Sequence, residues 1–236
     1  VALVALALYS LRRSVGQTTV LVFVVVIPSI IAHEISHGVV ALACGDDTAK
    51  RAGRLTLNPL KHIDPIGTLI LPAVLALAGF GAFGYAKPVP ISPRRMRHPR
   101  NDSVLVSLAG PATNLALAGL SIAILRLARP AGTVAAVALI SNGYLPISAL
   151  STLDQVLYLV GFLNVSLAVF NLIPLPPLDG SAVVERLLPA SAWPTWIKVR
   201  TYAMPALLVL VLWDPHQFLG QIFAPAEREW ARVLTS

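Results

Sequence analysis

The chain has 236 residues, of which 56% are hydrophobic and 12% charged, where a soluble domain carries about 25% charged residues. That composition, with a mean hydropathy of +0.75, reads as an integral membrane protein, since several runs approach the ~20 apolar residues that a bilayer crossing takes. The net charge of +7 lies in short connecting segments and not on a face of a soluble domain, which argues against a nucleic-acid partner. Cys44 stands alone, which excludes an internal disulfide and a cysteine-based metal knuckle.

Residues 1–19 open with V-A-L-V-A-L-A-L, too short to span, and Arg12 and Arg13 follow it, the wrong order for a signal peptide. This stretch is expected to be a partial membrane segment, or a short interfacial one, with a basic loop. Residues 20–44 form the first clear span. The polar stretch after it alternates around R-L-T-L-N, which predicts a short strand ended by the turns at N-P and D-P. Residues 66–83 are apolar but broken by Pro72, Gly79 and Gly81. Basic segments on both sides place both ends at the cytoplasm and favour a re-entrant element.

Y-A-K-P-V-P-I-S-P-R-R-M-R-H-P-R is held extended by its prolines. Residues 103–127 and 153–173 are two further clear spans. Residues 133–150, with Asn-Gly in the middle, leave helix or loop open. Residues 202–213 are apolar but short, unless extended by those before them, and A-P-A-E-R-E-W-A-R reads as a surface helix. The expected fold is an all-α polytopic membrane protein, a helical transmembrane core with short membrane-associated strand and loop elements. Residues 20–214 make one membrane domain and 215–236 a surface tail. Arg51 and Arg54 with Lys50 and Lys61, and then Arg94, Arg95, Arg97 and Arg100, mark the cytoplasmic face and contact anionic lipid.

Inside the first span stands His33-Glu34-Ile35-Ser36-His37, an H-E-x-x-H pattern. On a helix its histidines lie one turn apart on one face, so both imidazoles can meet one zinc ion with the glutamate beside a water at the metal. Hydrogen bonds to neighbouring helices would explain a lone histidine, but ionisable residues within a span default to a functional reading. With the span ending at Gly45, His37 lies about 12 Å and His33 about 18 Å along the helix, well inside a ~30 Å hydrocarbon core.

A catalytic zinc needs one more protein ligand, commonly a carboxylate. Asp46, Asp47 and Asp64 belong to the basic loop, which reads as solvated, and Asp102 reads as a helix cap. Two candidates remain, Asp179 and Glu185. Asp179 is favoured because L-I-P-L-P-P-L-D-G is an apolar, proline-stiffened end to a span, where an unpaired carboxylate is costly. Gly180 permits a tight turn that aims it inward. Asn164 and Asn171, seven residues apart, share a face of the third span, and Asn114 faces that stripe from the second. For Asn164 the expected role is interhelical glue. Ala109, Gly110, Ala112 and Ala116 suit close helix packing, while His62 and His98 read as surface or headgroup histidines.

H-E-I-S-H-G together with N-L-I-P-L-P-P-L-D-G resembles the site-2 protease family of intramembrane zinc metalloproteases. L-T-L-N-P-L-K-H-I-D-P-I-G-T, Y-A-K-P-V-P and A-G-P-A-T-N resemble its compact prokaryotic members. The resemblance implies one zinc per chain on His33, His37 and Asp179, with Glu34 as general base. It also implies a substrate-backbone role for Asn171 and a family position of unassigned role at Asn114. The expected activity is hydrolysis of peptide bonds in or near the transmembrane segments of other proteins, in a prokaryotic plasma membrane, from a site opening toward the cytoplasm. The unwound substrate is expected to add as a strand along residues 87–91 or 55–57. The competing reading is a non-proteolytic zinc-binding scaffold or metal carrier.

Overall fold

A computed structural model describes residues 17–70, 86–213 and 218–235. The expectations for residues 1–16, and most of the re-entrant element proposed at 66–83, fall outside these. Three helices carry the molecule: α1 (Gln17–Ala43), α3 (Pro99–Ala128) and α5 (Thr152–Leu172). Each is long and apolar enough to cross a membrane. Only 33%, 33% and 44% of their most apolar windows are buried within the protein. Residues such as Phe23, Val24, Leu105 and Leu120 therefore face outward, an arrangement that needs lipid around it. α3 lies between the other two and packs along both.

The ends of these helices are set locally. α1 stops where Gly45 takes φ +105°, a conformation open chiefly to glycine, and the Asp46 N–H returns to the Ala41 carbonyl. Asp102, expected to cap α3, instead sits in its first turn, where its carboxylate accepts the N–H of the N-cap residue His98 at 2.7 Å. Ser151 caps α5 by accepting from the Asp154 N–H. On the far side of the bundle Arg129 makes two bonds to Asp154, at 2.6 and 3.0 Å, joining the end of α3 to the start of α5.

Between α1 and α3 lie a short helix, α2 (Thr48–Arg51), a 3-10 turn at Pro59–Lys61 capped by Asn58, and a π-helical turn at Pro65–Ile70. The expected strand around residues 54–58 is not formed; residues 55 and 56 are bends. Residues 133–150 resolve into α4 (Ala131–Ser141), a turn at Gly143 and a 3-10 turn. At 1.5 Å per residue α4 is too short to cross. After α5 come α6 (Ser181–Leu187), α7 (Trp193–Trp213) and α8 (Phe218–Thr235). The apolar residues 202–213 are thus the second half of a longer helix. α8 is the amphipathic tail helix, and it docks one face: Trp230, Ala231 and Leu234 are buried in the core with Tyr158 and Leu157. Gly161 makes room, since a Cβ there would fall 2.1 Å from the Trp230 ring.

Candidate metal centre

His33 and His37 project from one side of α1, their rings 4.7 Å apart and nearly perpendicular. Both are buried. Each uses Nδ1 on α3: His33 meets the Asn114 Oδ1 at 2.5 Å and His37 the Val106 carbonyl at 2.7 Å. Both partners are oxygens that only accept, so Nδ1 carries a proton in each ring and Nε2 is the atom left to face a metal ion. Those two nitrogens point at Asp179, with His33 Nε2 3.0 Å from Oδ2 and His37 Nε2 3.4 Å from Oδ1. Oδ2 is buried and receives no well-directed hydrogen bond despite the short distance.

Three acceptor atoms thus converge with no proton required between them, an arrangement that a cation stabilises. The 3.0 and 3.4 Å separations are close to the roughly 3.3 Å between ligand atoms of a tetrahedral zinc with bonds of about 2 Å, and all three atoms lie within 4.8 Å of one another. Gly110 completes the cradle. A Cβ there would fall 2.4 Å from His33 Nε2 and 2.6 Å from His37 Cε1. Its smallness admits the imidazoles to α3, a more specific duty than the helix packing expected of it.

Asp179 reaches the histidines because the proline-rich turn after α5 folds back on the helix it leaves. The Gly180 N–H donates to the Asn171 carbonyl at 2.7 Å. A Cβ on Gly180 would fall 2.2 Å from the Leu172 carbonyl oxygen. The tight turn expected of Gly180 is present, and close approach rather than positive φ demands the glycine. Glu185 is engaged elsewhere, accepting from the Trp196 indole at 2.9 Å and facing Arg200 at 3.5 Å.

Such a triad on an H-E-x-x-H helix accompanies a sequence-wide match: the profile of peptidase family M50 covers residues 20–213. The chain belongs to that family, the site-2 proteases. This M50 chain is 41% identical over 188 residues to "Putative zinc metalloprotease YwhC" of Bacillus subtilis, covering 79% of the chain and 78% of the relative. It is 36% identical to "Putative zinc metalloprotease Rip2" of Mycolicibacterium smegmatis, over 79% of the chain and 69% of the relative. Against the protein of that name in Mycobacterium tuberculosis the identity is 35%, over 81% and 68%. No solved structure matches the chain. The cofactor is zinc, and the His33, His37 and Asp179 donor set suits it.

The other candidate residues of the M50 chain fall in three places. Asn114 is fully buried behind His33, and its amide donates to Asn164 Oδ1 at 2.7 Å. Asn164 in turn donates to Ser29 and to the Val160 carbonyl, both at 2.9 Å. This is the expected interhelical glue, and it joins α1, α3 and α5 at the metal centre. Asn171 is half-buried, its amide spent on the Leu167 carbonyl of its own helix. Glu34 accepts the Val89 N–H on Oε2 at 2.8 Å.

Three readings of the polar loop need correction. Arg54, expected to contact anionic lipid, is 6% exposed and donates to the Lys87 carbonyl at 2.7 Å. His62 is not at the surface: it is 3% exposed, with Nε2 2.9 Å from the Thr56 carbonyl. Asp46 is not solvated: it is 0% exposed. Sequence reasoning assigned Gly110 only to helix packing and passed over the Val106 carbonyl and the Val89 N–H. The two backbone groups are open to any residue type, so the sequence carries no sign of them.

Proposed function

We propose that the chain is an intramembrane zinc metalloendopeptidase that cuts other membrane proteins in or near their transmembrane segments. Zinc, when held by His33, His37 and Asp179, supplies the Lewis acidity that brings the pKa of a water at the site to about 7. Glu34 takes the proton from that water and passes it to the leaving amine. Its Oε1 has no protein donor among the described residues, which suits it to this task. Asn114 holds His33 in the Nδ1–H tautomer, and the burial of its amide against Asn164 supports this role over contact with substrate. Asn171 orients the substrate backbone, for which its side-chain oxygen remains available.

The edge at residues 87–91 supports a restricted form of strand addition. The Lys87 N–H donates to the His62 carbonyl, the Lys87 carbonyl accepts from Arg54 and the Val89 N–H serves Glu34. Pro88 and Pro90 have no N–H to give. Substrate therefore docks there chiefly by donating its own N–H groups to free carbonyls. The basic clusters support a cytoplasmic side for this edge and for the access of water to the site.

The observation that carries the reading is the convergence of three acceptors beside a glutamate within a spanning helix. Detergent-purified protein is expected to cut a model transmembrane substrate, and Glu34→Gln to keep zinc and lose turnover. Equal cutting by the variant would remove the proposed base. Zinc retention with no cutting by either protein would favour a scaffold or carrier.

A further inference from the structure

Residues 87–92 run past Glu34 as a strip tied down at both ends. Prolines at 88, 90 and 93 hold Lys87, Val89 and Ser92 extended, and Ser92 has φ −123° and ψ 95°. At the near end buried Arg54 donates to the Lys87 carbonyl at 2.7 Å, and the Lys87 N–H donates to the His62 carbonyl at 2.9 Å. At the far end Asp46 Oδ2 accepts the Ser92 N–H at 2.6 Å. The middle is packed: Val89 is 5% exposed and lies against Gly38, where a Cβ would come 3.1 Å from its Cγ1. Ile91 packs with Ala41, Met96 and Val106. This anchorage delivers the Val89 N–H to Glu34.

Neither Asp46 nor Arg54 touches the zinc ligands, yet both are buried charged groups in a loop otherwise rich in exposed ones. Burying a charge is costly unless it is paired or hydrogen-bonded. Burial pushes the Asp46 carboxyl up, but bonds from Thr48 and Ser92, with Arg95 nearby, more than offset this and hold it below its usual range. It is therefore an anion when the enzyme works near neutral pH.

We propose that Asp46 and Arg54 are positioning residues for the general base. By fixing the two ends of the strip they hold the Val89 N–H on Glu34 Oε2, and so set the direction in which Oε1 meets the attacking water. The assignment rests on the protease reading of Glu34. It adds two charged residues, both outside the metal centre, on which the rate of cleavage depends.

The test uses the full chain in detergent with a model transmembrane substrate, and measures kcat, KM and zinc content. Asp46→Ala and Arg54→Met are expected to lower kcat by about 10- to 100-fold, the loss that a small misplacement at a reacting centre produces, with KM and zinc content unchanged. Arg54→Lys keeps a donor for the Lys87 carbonyl and recovers part of the rate. Thr48→Val removes only the hydroxyl bonded to Asp46 Oδ1, leaves the Ser92 bond intact and keeps the wild-type kcat. If Asp46 merely shaped the turn before α2, where the Thr48 N–H also donates to Oδ1 at 3.0 Å, Asp46→Ala would leave kcat and the amide exchange of residues 87–92 at their wild-type values.

Amide exchange in residues 87–92, where the prolines leave only Lys87, Val89, Ile91 and Ser92 to report, rises in Asp46→Ala and Arg54→Met. That readout holds whether or not a substrate is cut. Failure of wild-type protein to cut any substrate strikes at the protease reading, whereas unchanged exchange strikes at the strip alone. Wild-type kcat in both variants, or a change confined to KM, overturns the positioning role.

Discussion

His33 and His37 in α1 and Asp46 just beyond its end are all buried polar side chains, yet only the histidines are conspicuous in the sequence. They stand in an apolar span, where an ionisable group is costly enough that its presence implies a partner. Asp46 stands among lysines, arginines and a second aspartate, where exposure is the default for its type. Its burial depends on Ser92, far along the chain. The contrast teaches that the bilayer advertises a functional polar residue, whereas a polar loop hides one.

The largest effects should fall on the conspicuous side. Asp179→Ala is expected to abolish tight zinc binding while Glu185→Ala leaves it intact, as measured by metal content after dialysis against a chelator. The reverse pattern would break the account of the triad. Gly110→Ala should also weaken zinc binding strongly, because its methyl would sit inside the imidazole cradle and such overpacking costs roughly 1–3 kcal/mol.

Glu34→Gln comes next: zinc is retained and turnover falls by about 10²- to 10⁴-fold, the range for loss of a general base. Metal analysis and a cleavage assay on the same preparation separate the two quantities. Asn114→Ala should then lower zinc affinity about 10- to 100-fold by freeing the His33 ring. Asn164→Ala, one bond further from the metal, should cost less. An Asn164→Ala effect as large as that of Asn114→Ala would mean that the chain acts as a single unit and not as a graded support.

The smallest effect belongs to the inconspicuous side and depends on pH. The folded value of Asp46 lies below its ordinary one, so the unfolded chain takes up its proton first as pH falls. Its contribution to stability is full above the unfolded pKa of about 3.9 and is lost as pH drops through the lower folded value. The melting-temperature gap between wild type and Asp46→Asn should accordingly be constant from pH 7 to about pH 5 and close in more acidic buffer. A gap that opens on acidification would contradict that sign.

Much of the fold was legible because its signals are local or compositional. The three spans follow from hydropathy, and the histidine pair follows from a one-turn spacing that any helix enforces. The helix-start role of Asp102 is set within a few residues, its carboxylate accepting the His98 N–H. The strand expected around residues 54–58 failed for the opposite reason. A strand needs a partner ladder, and Arg54 and His62 instead use this loop to anchor the strip at Lys87.

The sequence by itself determined a membrane-embedded helical protein with two histidines and a glutamate on one turn, and it favoured Asp179 over Glu185 as the third ligand. Only the tertiary structure placed Asp179 at the histidines and Glu185 at Trp196 and Arg200. It alone put the Gly110 void beneath the rings and the Val89 amide on the base. The reason is physical: spacing along one helix is fixed by backbone geometry, whereas contacts between distant segments depend on how whole helices and loops pack. The backbone groups used in those contacts are the same in nearly every residue.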